Sequence, residues 1–321
     1  MIEFYIHVGV GKTGTTAIQS YLDANFEFLN RSGLRYFGQS FERAEFNSNI
    51  SFLNLFELAD SELDNFIIYN YRFCHENNIK KVFIVNESWC VNYSSLNSLV
   101  AILQKYFIVK IILFVRDHAD WAGSAYKQWG IYHKVNSGKI PKANNYFENE
   151  LPISYETIIV GWQSIVGADN IIVKRYNSKV DSVKLFFDSI SEPSSYSTTS
   201  DNQVNSHNLA DLYLRYLFNK NFESPVAPDI FENLLGGEFD SLHEFNDLFF
   251  NEHDLRKIDH ASINDKIFVN KYLSKEETLI DFPDRSETNA FKALEFSDRQ
   301  LLLINLKVSM AIISLLAKSS S

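Results

Sequence analysis

Two short stretches of the chain combine residue types that could bind or move an anionic group. The first is His7-Val8-Gly9-Val10-Gly11-Lys12-Thr13-Gly14-Thr15-Thr16, which follows directly on an apolar run. Glycines let a backbone come close to a ligand, and successive N–H groups ahead of a helix point at an anion. Lys12 adds a mobile positive charge, while Thr13, Thr15 and Thr16 add hydroxyls suited to phosphate or sulfate oxygens. The expected anion-binding set is therefore Gly11, Lys12, Thr13, Gly14, Thr15 and Thr16. The bland alternative, a Gly/Thr turn with a solvated lysine, does not call for strand, loop, lysine and helix in this order.

The second stretch is Ile111-Ile112-Leu113-Phe114-Val115-Arg116-Asp117-His118-Ala119-Asp120-Trp121-Ala122-Gly123-Ser124-Ala125-Tyr126. Arg116 at a strand end offers a planar fork of donors for a phosphate. Ser124, two helical turns on, can share that ligand if the intervening chain curls around it. Taken alone, Arg116 would instead read as a surface cation paired with Asp117 or Asp120.

Both stretches depend on strands to hold them. Phe4 to Val8, Lys81 to Val85 and Val109 to Val115 are apolar, β-branched runs, each followed by a polar turn and a helix-like pattern, the signature of βα units on a parallel sheet. The helices expected after them run through Ala17, Ile18, Tyr21 and Leu22, from about Ser94 to Tyr106, and from Asp120 to Tyr132. A helix from Tyr155 to Val166 precedes a fourth strand at Ile171 to Val173. In such sheets the ligand crevice lies outside the carboxyl ends of the strands, and Lys12, Glu87, Arg116 and Arg175 all follow strand ends.

The sequence Gly11-Lys12-Thr13 invites comparison with a nucleoside-triphosphate P-loop, which needs a glycine five residues before the one preceding its lysine. Position 6 is Ile6, so that pattern fails. The segment with its following Gly14-Thr15-Thr16 resembles instead the 5′-phosphosulfate loop of the sulfotransferases that use 3′-phosphoadenosine 5′-phosphosulfate (PAPS). Gly11 stands where that loop carries proline. In that family an arginine at a strand end and a serine eight positions later hold the 3′-phosphate, and Arg116 and Ser124 match the spacing. The run from Arg116 to Gln128, with Trp121, Ser124, Tyr126 and Gln128, is similar to bacterial polysaccharide-type members. Asn170 to Tyr176 resembles the family's later strand, ending in a tyrosine near the nucleotide, with Asn177 where an acidic residue is usual.

The resemblance implies an α/β fold with a P-loop-like parallel β-sheet flanked by helices and a helical C-terminal elaboration. It implies one domain over residues 1–321, with a PAPS-binding core at 1–200 and an extension at 201–321 that shapes the acceptor site. PAPS is then the co-substrate, a carbohydrate or other hydroxylated compound the acceptor, and no metal is needed. Lys12, Thr13, Gly14, Thr15, Thr16, Gly11, Arg116, Ser124 and Tyr176 would bind the donor.

Attack by a hydroxyl on sulfur calls for a base and for positive charge at the departing oxygen. Lys12 suits the second task and Glu87 the first, since related carbohydrate sulfotransferases use a glutamate. Glu87 lies in Asn86-Glu87-Ser88, without the serine-containing stretch expected ahead of the acid, and a capping carboxylate is an equal reading. His7 sits on an apolar strand and reads as structural. His118 and His133, with Lys127 and Lys134, read as a solvated helix face.

A net charge of −10 argues against a nucleic-acid surface, and 45% apolar content is enough for a full core. Two cysteines, Cys74 and Cys90, have no metal-ligand or disulfide-framework spacing, and a reducing cytoplasm fits. No secretory signal is read at the N-terminus and no transmembrane segment elsewhere. The apolar run Leu301 to Ala317 reads as a core helix, with peripheral membrane contact as the alternative. Beyond Asn205 the pattern is helical and irregular, acidic and Phe-rich from Asp229 to Asp254. Two rival functions stay open: a P-loop kinase or nucleotidase using ATP and Mg²⁺, with Asp117 as the second metal carboxylate, and a non-enzymatic binding module.

Overall fold

Strands β1 (Glu3–His7), β2 (Leu34–Tyr36), β3 (Lys81–Val85), β4 (Ile108–Val115) and β5 (Ile171–Arg175) form a five-stranded sheet in the order β2-β3-β1-β4-β5. Every pairing is parallel, with His7 opposite Val85 and Ile112, and Val115 opposite Arg175. This computed structural model describes residues 1–45, 58–147, 153–177, 179–192, 196, 209–220, 222–225 and 248–279.

Apolar side chains on both faces of the strands account for the two helical layers, because an all-parallel sheet must be covered on each side. On one face Tyr5, Phe83, Val85, Ile112 and Phe114 pack with residues of α1 (Thr15–Ala24), α2 (Phe26–Arg31) and α8 (Ser182–Ser189). On the other, the Phe4 ring meets Phe37, Phe41 and Phe107, and Phe66 of α3 (Asp60–Glu76) lies against Phe41. Helix α3 packs on α4 (Asn97–Leu103), and both α4 and α7 (Tyr155–Val166) pack on β4. Ser154 caps α7 by accepting from the Thr157 N–H, and Gly167 ends it at φ 84°, a conformation that suits a residue without Cβ.

The four expected strands are all present, β3 with both ends as expected and the others with ends displaced by at most two residues, and β2 is additional. The chain divides into two compact units. Met1–Asp117, Ser154–Val204 and Asn264–Leu279 make the first, which holds the sheet. His118–Ile153, Asn205–Ile263 and Ile280–Ser321 make the second, helical in its described residues.

In the second unit the expected helix from Asp120 to Tyr132 is α5 (His118–Ala125) followed by a π-helix, Tyr126–Tyr132. The Tyr126 ring occupies the space over Gly130, where a β-carbon would come within 2.6 Å of Tyr126 Cδ2. The last carbonyls of this helix have no donor within it, and Asn219 Nδ2 of α9 (Leu209–Asn219) donates to Ile131 at 2.5 Å and Tyr132 at 3.2 Å.

The Leu301 to Ala317 run and most of the acidic stretch from Asp229 lie outside the described residues. Among the described residues no helix is long and apolar enough to cross a membrane.

Candidate functional site

From β1 the chain crosses first to β2 and β3 on one side, then to β4 and β5 on the other, so the carboxyl end of β1 is the topological switch point. The strand ends are tied together there. The Asn86 N–H donates to the His7 carbonyl and the Val8 N–H to the Ile112 carbonyl, both at 3.0 Å. The loop that follows takes left-handed backbone at Lys12 (φ 74°) and Gly14 (φ 85°). Such a conformation strains a lysine and is held only where the surroundings enforce it. The Gly14 carbonyl accepts from the N–H groups of Ala17 and Ile18 and so opens α1. Gly14 is needed for space as well as for φ: an added β-carbon would lie 2.4 Å from Ser182 Cβ and 3.2 Å from Tyr176 Cε2. The Ser182 hydroxyl donates to the Gly14 carbonyl at 3.2 Å, latching the loop to the start of α8.

Among the described residues no side chain caps α1, which leaves the backbone N–H groups of Thr15 and Thr16 to an anion. Among the described residues the buried Thr15 hydroxyl meets no hydrogen-bond partner, and Thr16 is exposed. Thr13 is turned inward instead, its hydroxyl donating to the Val10 carbonyl at 2.6 Å. It braces the loop. Burial, reinforced by the Arg116 charge, lowers the Lys12 ammonium pKa below the ordinary lysine value.

Arg116 reaches across to this loop, its Nη1 donating to the Lys12 carbonyl at 3.3 Å. Its own backbone is clamped by the Tyr155 hydroxyl, which accepts from the Arg116 N–H at 3.0 Å and donates to the Arg116 carbonyl at 2.8 Å. Asp265 in turn accepts from the N–H groups of Tyr155 and Glu156 at 2.9 and 2.7 Å. Asp117, one of the ion-pair partners considered for Arg116, pairs with the fully buried Lys266 at 3.3 Å. The Tyr176 N–H donates to the Val115 carbonyl at 2.7 Å, which brings its ring beside Gly14. Arg175 points elsewhere, donating from Nη1 to the Thr278 carbonyl at 2.8 Å.

Glu87 opens a single turn of 3-10 helix capped by Asn86, whose side-chain oxygen accepts from the Ser88 N–H. Because the Asn86 N–H is bonded to the His7 carbonyl, Glu87 follows close to the start of the loop after β1. Its Oε2 accepts from Gln19 Nε2 at 3.3 Å. His7 is completely buried, edge-on to Phe114 at 4.5 Å, and burial pushes its pKa down to about 3. A neutral imidazole packed in this way is structural.

Compared with known proteins, the chain matches no family model and no curated protein.

The first unit thus assembles Gly11 to Thr16, Arg116, Tyr176 and Glu87 at neighbouring strand ends. Ser124, half-buried on α5, belongs to the second unit with His118 and His133. Gln19, Tyr155, Ser182, Asp265 and Lys266 were not legible as site residues, because each acts through a contact distant in sequence. Helix N–H groups, two cations and an unpartnered buried hydroxyl fit a phosphate-like or sulfate-like group. The adjacent carboxylate is a proton acceptor. Among the described residues no group of three or more His, Cys, Asp or Glu side chains is placed to hold a metal ion.

Proposed function

We propose that the chain is a sulfotransferase that moves the sulfuryl group of PAPS to a hydroxyl, in the carbohydrate class suggested by the polysaccharide-type resemblance. One observation carries the reading. The Gly9 to Gly14 loop opens an uncapped helix at the switch point of a parallel sheet, with Arg116 bonded to the Lys12 backbone and the Thr15 hydroxyl buried and unpartnered beside them. The strand order, with β1 central, also fits the P-loop-like class of α/β fold.

In this reading the loop N–H groups, Lys12, Thr15 and Thr16 hold the 5′-phosphosulfate. Arg116 takes the 3′-phosphate, and Tyr176 lies on the nucleotide side. The acceptor oxygen bonds to sulfur while the bond from sulfur to the 5′-phosphate oxygen breaks. Glu87 takes the hydroxyl proton, and Lys12 offsets the charge that builds on the departing oxygen. The two buried free cysteines fit a cytoplasmic setting. The kinase reading would use Asp117 as a metal ligand, and the pairing of Asp117 with buried Lys266 counts against it.

Calorimetric titration separates the two. Adenosine 3′,5′-bisphosphate is expected to bind with or without a chelator. Binding of ATP only in the presence of Mg²⁺, with no affinity for the bisphosphate, would sink the sulfotransferase reading.

A further inference from the structure

Gln19 is a polar side chain, 8% exposed, on the helix that starts at the phosphate-type loop. It lies next to Ile18 and three residues before Leu22, both fully buried, where an amide costs desolvation energy unless it is hydrogen-bonded. Its Nε2 donates to two acceptors on one short segment. These are the Val85 carbonyl at 3.0 Å, on the last residue of β3, and Glu87 Oε2 at 3.3 Å. An amide nitrogen carries two hydrogens, so both acceptors can be served together. Among the described residues no hydrogen bond engages the other Glu87 oxygen, Oε1.

The position of Gln19 on α1 gives the contact its meaning. Four residues of helix separate it from Thr15, about 6 Å at 1.5 Å per residue. One rigid helix therefore presents its N-terminus to the anion and, about one turn further on, holds the carboxylate beside it. We propose that Gln19 is the positioning residue of the site. It fixes Glu87 by Oε2 at a set reach from the donor loop and leaves Oε1 to accept the proton of the attacking hydroxyl. This rests on Glu87 acting as base in the sulfuryl transfer proposed above.

The test is a double-mutant cycle over Gln19→Met, which keeps length and loses the donor, and Glu87→Ala, read in two ways. The first readout is the urea midpoint of the ligand-free protein. Contact predicts that the two shifts do not add, because once Glu87 is removed the Gln19 change has less to break. The second is sulfate release from labelled PAPS to water, in which the water oxygen bonds to sulfur, the bond to the 5′-phosphate oxygen breaks, and Glu87 takes the proton. Gln19→Met should lower the turnover rate about tenfold, the scale of one hydrogen bond to a charged group. KM for PAPS and affinity for adenosine 3′,5′-bisphosphate should stay within about twofold, and Gln19→Met should cause no further loss in the Glu87→Ala background. Equal losses in both backgrounds, or loss of bisphosphate affinity, would overturn the proposal and make Gln19 a packing residue of α1. If Gln19→Met does not fold, Gln19→Asn keeps the buried amide but shortens it, and the same selective fall in turnover is required. A wild-type protein that binds no bisphosphate and releases no sulfate removes the donor reading itself. That outcome is recognisable before any variant is made, and the proposal falls with it.

Discussion

Burial, not chemistry, governs His7, and this has a consequence for acid stability. An unfolded histidine titrates near 6.5, whereas in the folded chain burial pushes His7 down to about 3. Between those values the unfolded chain binds the extra proton, so stability rises with pH through the window and is lost as pH falls from about 6.5 towards 3. The slope from this one group is up to about 1.4 kcal/mol per pH unit. Urea unfolding between pH 4 and 7 should show a shallower pH dependence for His7→Leu than for the wild type, and parallel curves would show that His7 binds its proton equally in the folded and unfolded chains. Arg116 is the opposite kind of residue, a charge clamped by its backbone, with one arm of its fork on the Lys12 carbonyl. Arg116→Ala should weaken adenosine 3′,5′-bisphosphate by about 1.5–3 kcal/mol. In calorimetry adenosine 5′-phosphate, which lacks the 3′ group, should lose little affinity. Equal losses for the two nucleotides would remove Arg116 from the 3′-phosphate.

At the scale of elements, what was legible in the sequence depended on the range of the interactions. Strands β1, β3, β4 and β5 are apolar runs closed by polar turns, and that local pattern is enough to find them. Strand β2 is three residues long behind Gly33 and, among the described strands, pairs with β3 alone, so its alternation is too brief to register. The π-helix shares its apolar spacing with an α-helix over seven residues, and the Tyr126 ring over Gly130 and the Asn219 bonds at its end are contacts that spacing does not reveal. The loop and Arg116 were legible as motifs, but what steadies Arg116 was not. Asp265 and Lys266 reach it from far along the chain, through Tyr155 and Asp117. Replacing Lys266 takes a buried cation from Asp117, and breaking one side of a buried pair costs about 3–5 kcal/mol. Lys266→Met should therefore be strongly destabilised in urea, and Asp117→Leu added to it should recover much of the loss. A double variant no more stable than Lys266→Met alone would show that Lys266 acts through its packing and not through Asp117.

At the scale of the whole molecule, a chain of net charge −10 is proposed to bind a highly anionic nucleotide. The long-range field opposes that ligand, so binding must come from donors within contact distance, where screening and global charge count least. The effect of the ligand on the first unit should be correspondingly local. Adenosine 3′,5′-bisphosphate at about one hundred times its Kd stabilises whatever state binds it by about 2.7 kcal/mol. In hydrogen exchange the slowing should concentrate in peptides covering residues 8–18, 112–117 and 174–184. These hold the uncapped start of α1, the Arg116 strand end, and the Tyr176 and Ser182 contacts with Gly14. Helix α3 carries none of the site residues, and its exchange should change least. The pattern should be the same with a chelator present, because the donors named are N–H, hydroxyl and cationic groups. Protection spread evenly over α3 and the strand ends would mean that the bisphosphate tightens the first unit as a whole, and the loop from Gly9 to Gly14 would lose its claim to be the binding site.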